Sequence, residues 1–241
     1  MFLAYDPGVM VVTPVKTRLF LAKENLVDFI VEHIPTVSEG AVLVVTSKIV
    51  SLAEGRTTTI SDSNELLKLM KKESELAVET PYTWMTVRQG MAMARAGFDQ
   101  AGNDVLLLPK DSFASAHTLR MELCKRYGVR NLAVLLSDSR TLPLRKGSVG
   151  VCMGYAGLEP LKDYGQTRDM MGGYFRQRLA NVVDALATAA VHTMGESDQM
   201  QPLAIIADAD ITFTDKPASP TDIQIAMTDD LYGPLFNALN S

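Results

Sequence analysis

Cysteine is scarce in this 241-residue chain, which has only Cys124 and Cys152. The two stand far apart, and neither belongs to a CxxC pair or to a Cys/His array. The sequence therefore predicts neither a structural zinc site nor a disulfide framework. Scarce, unpatterned cysteine is typical of a reducing compartment, so we predict a cytoplasmic protein.

Long apolar runs and clusters of basic residues are also missing. No apolar run approaches the ~20 residues that a membrane-spanning helix needs. The first residues, MFLAYDPGVM, contain an acid and a proline where a signal peptide has a basic segment. Lys and Arg number 23 against 28 Asp and Glu, a net charge of −5, and no basic block alternates with aromatic residues. We therefore predict no membrane segment and no nucleic-acid partner.

Apolar residues are abundant at 47%, enough to form a core as one large or two small domains. Short apolar runs predict strands over residues 9–15, 40–46, 83–87, 133–136 and 202–207. Helical spacing predicts helices over residues 24–34, 64–72, 112–128 (capped by Ser112) and 175–194. We place one domain over residues 1–213. Residues 214–241 are predicted to be a linker and a short amphipathic tail, the latter over 223–239, that packs on the body or on a partner.

The stretch 131–173 carries the strongest chemical signal, because the apolar run 133–136 stops at the cluster Ser137-Asp138-Ser139. We expect the strand to end there and to present these side chains to solvent. Hard cations and phosphates need oxygen ligands and cationic donors nearby, which Asp138 and the basic residues after it would supply. Those basic residues are Arg140, Arg145 and Lys146. The alternative is a strand that ends in an ordinary solvated turn.

Polar residues also follow other predicted elements. Ser47 and Lys48 come after the strand 40–46, where a hydroxyl, backbone N–H groups and a lysine can hold phosphate oxygens. This signal is weak by itself, because the GxxxxGK[ST] motif is absent. Asp99 follows a small-residue turn and Glu196 follows the last predicted helix. An isolated Asp99 would be an Asx-turn residue, which is the alternative for that position.

In order and spacing, segments over nearly all of residues 11–207 resemble the coenzyme F420 gamma-glutamyl ligase family. The segments are TPVK at 13–16, VLVVTSKIVSLAEGR at 42–56, AGFD at 96–99, LLPKD at 107–111, SDS at 137–139, the spaced Pro143, Arg145, Gly147 and Val149-Gly150, and MGE at 194–196. The resemblance implies an α+β fold of mixed sheets with packed helices, and a homodimer. It also implies a ligase that uses GTP or ATP with Mg²⁺ or Mn²⁺ to join L-glutamate to an acceptor carboxylate through a gamma-type amide.

Carried over by position, the resemblance makes Asp99 and Asp138 ligands of one metal, and Ser139 and Glu196 ligands of a second. It implies nucleotide contacts at Arg18, Leu19, Phe20, Leu21, Ser47, Lys48, Asn103, Met194, Gly195, Glu196, Ser197 and Asp198. The catalytic candidates are Asp138, Arg140 and Arg145, since the two arginines could neutralise charge on a transferring phosphoryl group.

The sequence also departs from the family pattern. A lysine that the family tends to carry before AEGR is Leu52 here, an asparagine before Ala96 is Arg95, and a Gly-Arg after the SDS motif is Thr141-Leu142. Metal chemistry is thus preserved while nucleotide and acceptor contacts are altered, which indicates a divergent paralogue. The leading hypothesis is a ligase that phosphorylates an acceptor carboxylate, such as a coenzyme F420 precursor or a folate, for attack by glutamate. The alternative is a non-catalytic nucleotide- or metabolite-binding protein that kept the fold.

Overall fold

The computed structural model describes residues 8–165, 168, 170–173 and 178–238. Its strands are β1 (Val11–Val15), β2 (Ala41–Thr46), β3 (Thr57–Thr59), β4 (Leu76–Glu79), β5 (Trp84–Arg88), β6 (Met91–Ala94), β7 (Asp99–Ala101), β8 (Asp104–Leu106), β9 (Leu132–Thr141), β10 (Ser148–Ala156), β11 (Leu161–Asp163), β12 (Leu179–Asn181) and β13 (Leu203–Ala207). Its α-helices are α1 (Leu26–His33), α2 (Ser47–Ala53), α3 (Ser63–Lys72), α4 (Ser112–Tyr127), α5 (Val182–Met194) and α6 (Gly233–Ala238).

The main sheet has the strand order β1-β13-β2-β9-β10. β2 and β9 are parallel and the other neighbours are antiparallel. Successive residues of β2 face opposite sides of this sheet, as a strand requires. Leu43 and Val45 belong to a core shared with α1, α2 and α4, whereas Val42 and Val44 belong to a core shared with α5. Because both faces are covered, the unbroken apolar run is the pattern to expect. The predicted α+β class is confirmed.

Two glycines of β10 bring helices close to the sheet. A Cβ on Gly150 would lie 2.6 Å from the carbonyl oxygen of Ala187 in α5. A Cβ on Gly154 would lie 2.4 Å from the backbone of Ser112 at the start of α4. Since any side chain would push the helices away, these glycines set how closely α4 and α5 pack. The close approach of α5 brings its C-terminal end beside β9 and β10.

Residues 57–107, which come between α2 and α4 in the sequence, form a smaller lobe. It contains the sheets β3-β8-β7 and β4-β5-β6 together with α3. Its own apolar cluster contains Ile60, Met70, Ala96, Phe98, Val105 and Leu107. At its base, the carboxylate of Glu73 pairs with both Arg56 and Arg88. The strand β7 of this lobe begins with Asp99, one of the predicted metal ligands.

Four of the predicted elements need correction. β9 runs on through Thr141, because β10 pairs with it as far as that residue. Ser47 and Lys48 are the first turn of α2, not a polar turn. The predicted helix 175–194 begins only at Val182, since Leu179–Asn181 pairs with β11 as β12; its predicted start, Phe175, lies outside the described residues. The side-chain cap of α4 is Asp111, not Ser112.

The predicted strand 40–46 and helices 24–34 and 64–72 are confirmed to within two residues at either end. Gly128 ends α4 in the left-handed conformation, as predicted.

The segment after β13 lies on the main body. Thr214 donates a backbone hydrogen bond to Gly157, and the buried Arg120 pairs with Asp215 at 2.9 Å. The hydroxyl of Tyr155 donates to Asp222 at 3.2 Å. In the predicted amphipathic tail, the described helix is the short α6, and residue 239 lies outside the described part of the chain. Within the described ranges, no helix combines the length and apolar character needed to cross a bilayer.

Candidate functional site

The end of β2 lies beside the middle of β9, next to a cavity of about 360 Å³. Because these strands are parallel and Thr46 pairs with Ser137, the residues that follow β2 lie beside Asp138 and Ser139 of β9. The cavity is lined by Thr17, Arg18, Leu19, Phe20, Thr46, Lys48, Ile49, Leu52, Leu106, Ser137, Asp138, Ser139, Val191, Met194, Gly195, Glu196, Ser197, Gln199, Met200, Gln201 and Pro202. Its volume is within the range of about 300–1,000 Å³ that small-molecule sites occupy.

Asp138 is the most deeply buried acid of the site, with 8% of its surface exposed. The prediction that it projects into solvent is therefore wrong, because β10 pairs with this part of β9. Its Oδ1 accepts a hydrogen bond from the backbone N–H of Ser139 at 2.9 Å. Its Oδ2 accepts from Nη1 of Arg140 at 2.5 Å. The carboxylate is thus held in one orientation at the cavity wall.

Lys48 joins two of the predicted metal ligands. Its Nζ lies 3.0 Å from Oδ2 of Asp99 and 3.7 Å from Oδ1 of Asp138. Partial burial would lower the pKa of Lys48, but the negative charges of Asp138, Asp99 and Glu196 outweigh it and raise the pKa above its usual value. The ammonium therefore carries its charge at neutral pH. This point of the cavity favours a cation.

The other predicted ligands approach the same point from different elements. Asp99 is exposed and comes from the small lobe. Glu196 follows Gly195, whose φ of +84° ends α5, and it accepts a hydrogen bond from the Ser148 hydroxyl at 3.3 Å. Ser139 lies beside Asp138 on β9. In the described part of the chain, no three His, Cys, Asp or Glu side chains are close enough to form a metal-binding group by themselves. Two carboxylates that already share a cation, with a third nearby, nevertheless fit a hard divalent ion.

The guanidinium of Arg140 is held by contacts with other residues of the protein. Its buried guanidinium holds Asp138, and its Nη2 lies 3.4 Å from the sulfur of Met153. The same Nη2 is 3.1 Å from the position that a Cβ would take on Gly97. Arg140 therefore connects Asp138 with the turn that precedes Asp99. Arg145, the other predicted catalytic arginine, is exposed in the turn between β9 and β10 and does not line the cavity.

Most of the predicted nucleotide contacts line the cavity: Arg18, Leu19, Phe20, Lys48, Met194, Gly195, Glu196 and Ser197. Leu21, Ser47, Asn103 and Asp198 do not line it. Ser47 is buried, with 2% of its surface exposed, and Asn103 lies in the turn between β7 and β8. The guanidinium of Arg18 pairs with Glu24 and Glu32, and this pairing lowers the pKa of Glu24 to about 2.

Several lining residues were missed by sequence reasoning. Thr17, Gln199 and Gln201 add polar groups from irregular segments, which have no periodic pattern to indicate them. The Ser137 hydroxyl is fully buried at the cavity and has no hydrogen-bond partner among the described residues. Leu52 was indicated by the sequence only as one of the positions that depart from the pattern of the resembled family.

Comparison with known proteins identifies a related family. The sequence model described as F420-0:gamma-glutamyl ligase matches residues 14–208, which include all of the cavity-lining residues. The coenzyme F420:L-glutamate ligase of Halorubrum lacusprofundi is 33% identical over 196 residues, covering 70% of this chain and 76% of that protein. The enzyme of that name from Methanothermobacter thermautotrophicus is 32% identical over 189 residues, covering 70% and 75%. The one from Methanocaldococcus jannaschii is 28% identical over 209 residues, covering 78% and 83%.

Proposed function

The chain belongs to the F420-0:gamma-glutamyl ligase family, and we propose that it is a nucleotide- and metal-dependent ligase that joins L-glutamate to an acceptor carboxylate. The observation that carries this proposal is that Lys48, Asp138 and Glu196 line one cavity and that Lys48 also pairs with Asp99, which lies just outside the lining. Acids from three separate elements converge there although they are far apart in the sequence. Perturbed charged groups in a cavity are typical of a functional site.

In the proposed reaction, a carboxylate oxygen of the acceptor attacks the γ-phosphorus of GTP or ATP. The bond from that phosphorus to the bridging oxygen breaks, and the nucleoside diphosphate leaves with the electron pair. The glutamate amine then attacks the carbonyl carbon of the acyl phosphate. Phosphate leaves, the nitrogen loses a proton, and an amide remains. Positioning and charge neutralisation supply most of the rate in phosphoryl transfer.

The residues that would hold Mg²⁺ or Mn²⁺ are Asp99, Asp138, Ser139 and Glu196, all of them oxygen donors. A divalent ion held there would neutralise and orient phosphate oxygens. Arg140 supports this role by fixing the Asp138 carboxylate at 2.5 Å. Lys48 lies at the same point and can reach an anion in the cavity.

We propose that the acceptor contacts are where this chain departs from the family that its sequence resembles. Leu52 places an apolar side chain on the cavity wall, at a position where the resemblance leads us to expect a lysine. We infer that the acceptor or the nucleotide is held there by apolar contact and not by a charge. A coenzyme F420 precursor, folates and other small carboxylates are the acceptors to compare.

The test is release of phosphate and formation of the amide product, with GTP or ATP, Mn²⁺ or Mg²⁺, L-glutamate and each acceptor in turn. We expect release that depends on all four components. Absence of turnover with every acceptor, including a metabolite extract, would contradict a ligase function.

A second candidate is a nucleotide- or metabolite-binding protein without catalysis. It is favoured by Leu52 and by the ion pairs that engage both Arg18 and Lys48. Calorimetry with GTP and ATP in the presence of Mn²⁺, followed by the turnover assay on the same sample, separates the two. Tight binding without product supports this second candidate.

We also propose that the protein is a cytoplasmic homodimer, and that residues 1–213 form the catalytic domain. The dimer is supported by β1, which among the described residues pairs on one side only. Val11 at its start is 48% exposed, and Val9 and Met10 just before it are 80% and 43% exposed. An unpaired strand edge with apolar side chains favours association. Sedimentation equilibrium that gives a monomer mass at micromolar concentration would exclude the dimer.

A further inference from the structure

Lys48 lies between the two carboxylates that the proposed function assigns to one metal ion. Its ammonium contacts Asp99 of the small lobe and Asp138 of the main sheet, so it already links the two parts of the site. Asp138 is 8% exposed, whereas the side chain of Lys48 is 46% exposed, so the ammonium can leave the carboxylate without leaving water. A divalent ion that bound both carboxylates would have to replace the ammonium.

Arg18, the second basic side chain of the cavity, also forms ion pairs within the protein. In the described part of the chain, Arg18 and Lys48 are the basic residues that line the cavity. Arg18 pairs with Glu24 and with Glu32. A triphosphate that entered the cavity would therefore meet two cations whose charges are already balanced by acids.

We propose that Lys48 is an exchangeable counter-ion: it neutralises Asp99 and Asp138 until a divalent metal ion takes its place, and the freed ammonium then binds phosphate oxygens in the cavity. This inference rests on the proposed function. Lysine suits the role because its charge sits on a flexible four-carbon chain with three rotatable donors. The root of that chain is fixed, since Lys48 is in the first turn of α2 and Ile49 beside it is buried.

Exchange would couple the metal to the nucleotide. The metal alone binds weakly, because it must break two ion pairs, whereas the metal with a triphosphate gives Lys48 a new anionic partner. The metal ion then raises the affinity of the protein for the triphosphate, and the triphosphate raises the affinity for the metal ion by the same factor. Lys48 is therefore a positioning residue for the reaction. Its effect on metal and triphosphate affinity can be measured by binding experiments without turnover.

Calorimetry with Mn²⁺ alone tests the exchange. Lys48→Met keeps a long unbranched side chain but removes the charge, so we expect Mn²⁺ to bind at least about tenfold more tightly than to the wild type. The control is Lys71→Met, which removes a lysine that stacks on Trp84 in the small lobe and does not line the cavity. Its Mn²⁺ affinity should equal that of the wild type.

A second measurement uses the wild-type protein and does not depend on the folding of a variant. Brief acetylation followed by peptide mass spectrometry reports how available each lysine is. We expect Mn²⁺ to increase labelling of Lys48 and to leave labelling of Lys71 unchanged. Addition of tripolyphosphate together with Mn²⁺ should protect Lys48 again.

The outcomes separate this inference from the function on which it rests. If Mn²⁺ binds the wild type with tripolyphosphate, but Lys48→Met binds Mn²⁺ alone no more tightly and Lys48 labelling does not respond to Mn²⁺, the exchange is wrong and a metal-dependent ligase stands. If neither protein binds Mn²⁺ under any of these conditions, the metal dependence of the proposed function fails, and the exchange fails with it.

Discussion

Gly97 lies directly against the guanidinium of Arg140, and this contact connects the small lobe to the main sheet. A Cβ on Gly97 would stand 3.1 Å from Nη2 of Arg140 and 2.7 Å from Cδ1 of Leu108. Two residues further along the chain is Asp99, while Arg140 holds Asp138. The position of the Asp99 carboxylate relative to that of Asp138 therefore depends on Gly97, which has no side chain.

We expect Gly97→Ala to be destabilising. Gly97 has a φ of +70°, so alanine adds backbone strain as well as the steric contacts. Gly102→Ala is the matched control, because Gly102 has a φ of +62° and no described atom lies within 4 Å of its would-be Cβ. Urea denaturation should show Gly97→Ala to be less stable than Gly102→Ala by about 1–3 kcal/mol. Equal losses would mean that the contact with Arg140 contributes nothing.

Asp138→Asn should lower both stability and metal affinity. The buried Arg140 loses its carboxylate partner, which we expect to cost about 1–3 kcal/mol. Asp215→Asn is the control, since Asp215 pairs with the buried Arg120 outside the cavity. A ligand that binds only the folded state raises the thermal midpoint. Asp138→Asn should lose the Mn²⁺-dependent rise in that midpoint, and Asp215→Asn should keep it. A full rise in Asp138→Asn would remove Asp138 from the metal site.

The pair of Glu24 with Arg18 gives stability a defined pH dependence. Pairing lowers the pKa of Glu24 from 4.5 to about 2 in the folded protein. A carboxyl whose folded pKa is lowered stabilises the protein above its unfolded pKa, and this contribution is lost as the pH falls through the folded pKa. The difference in stability between wild type and Glu24→Gln should therefore be constant from pH 7 to about 5 and shrink between pH 4.5 and 2. A stability difference that stays constant from pH 7 down to 2 would contradict this pairing.

The two thiols should be slow to react in the folded protein. Burial raises the pKa of Cys152 far above its usual value, and it also raises the pKa of Cys124. The thiolate is the reactive form, so alkylation at pH 8 should reach Cys152 only after unfolding and Cys124 slowly. Mass spectrometry of samples treated with iodoacetamide, with and without urea, measures this. Rapid labelling of Cys152 in the native protein would show that β10 opens readily.

The sequence by itself determined the central strands of the main sheet. Residues 41–45 and 133–136 are continuous apolar runs, and a run of that kind is stable only when both faces are covered. It also determined which residues would follow the apolar runs, and Lys48, Asp138 and Ser139 all line the cavity. The ends of these elements were less well determined, because pairing with β10 extends β9 through polar residues that would otherwise form a turn.

Only the tertiary structure decided which of those residues meet. Asp99 reaches Lys48 because the small lobe folds around its own core and rests against Arg140. The same packing left Leu21, Ser47, Asn103 and Asp198 away from the cavity lining. The physical reason is that sequence periodicity records which face of an element is buried, whereas a distance such as the 3.0 Å between Lys48 and Asp99 is set by how separate elements pack.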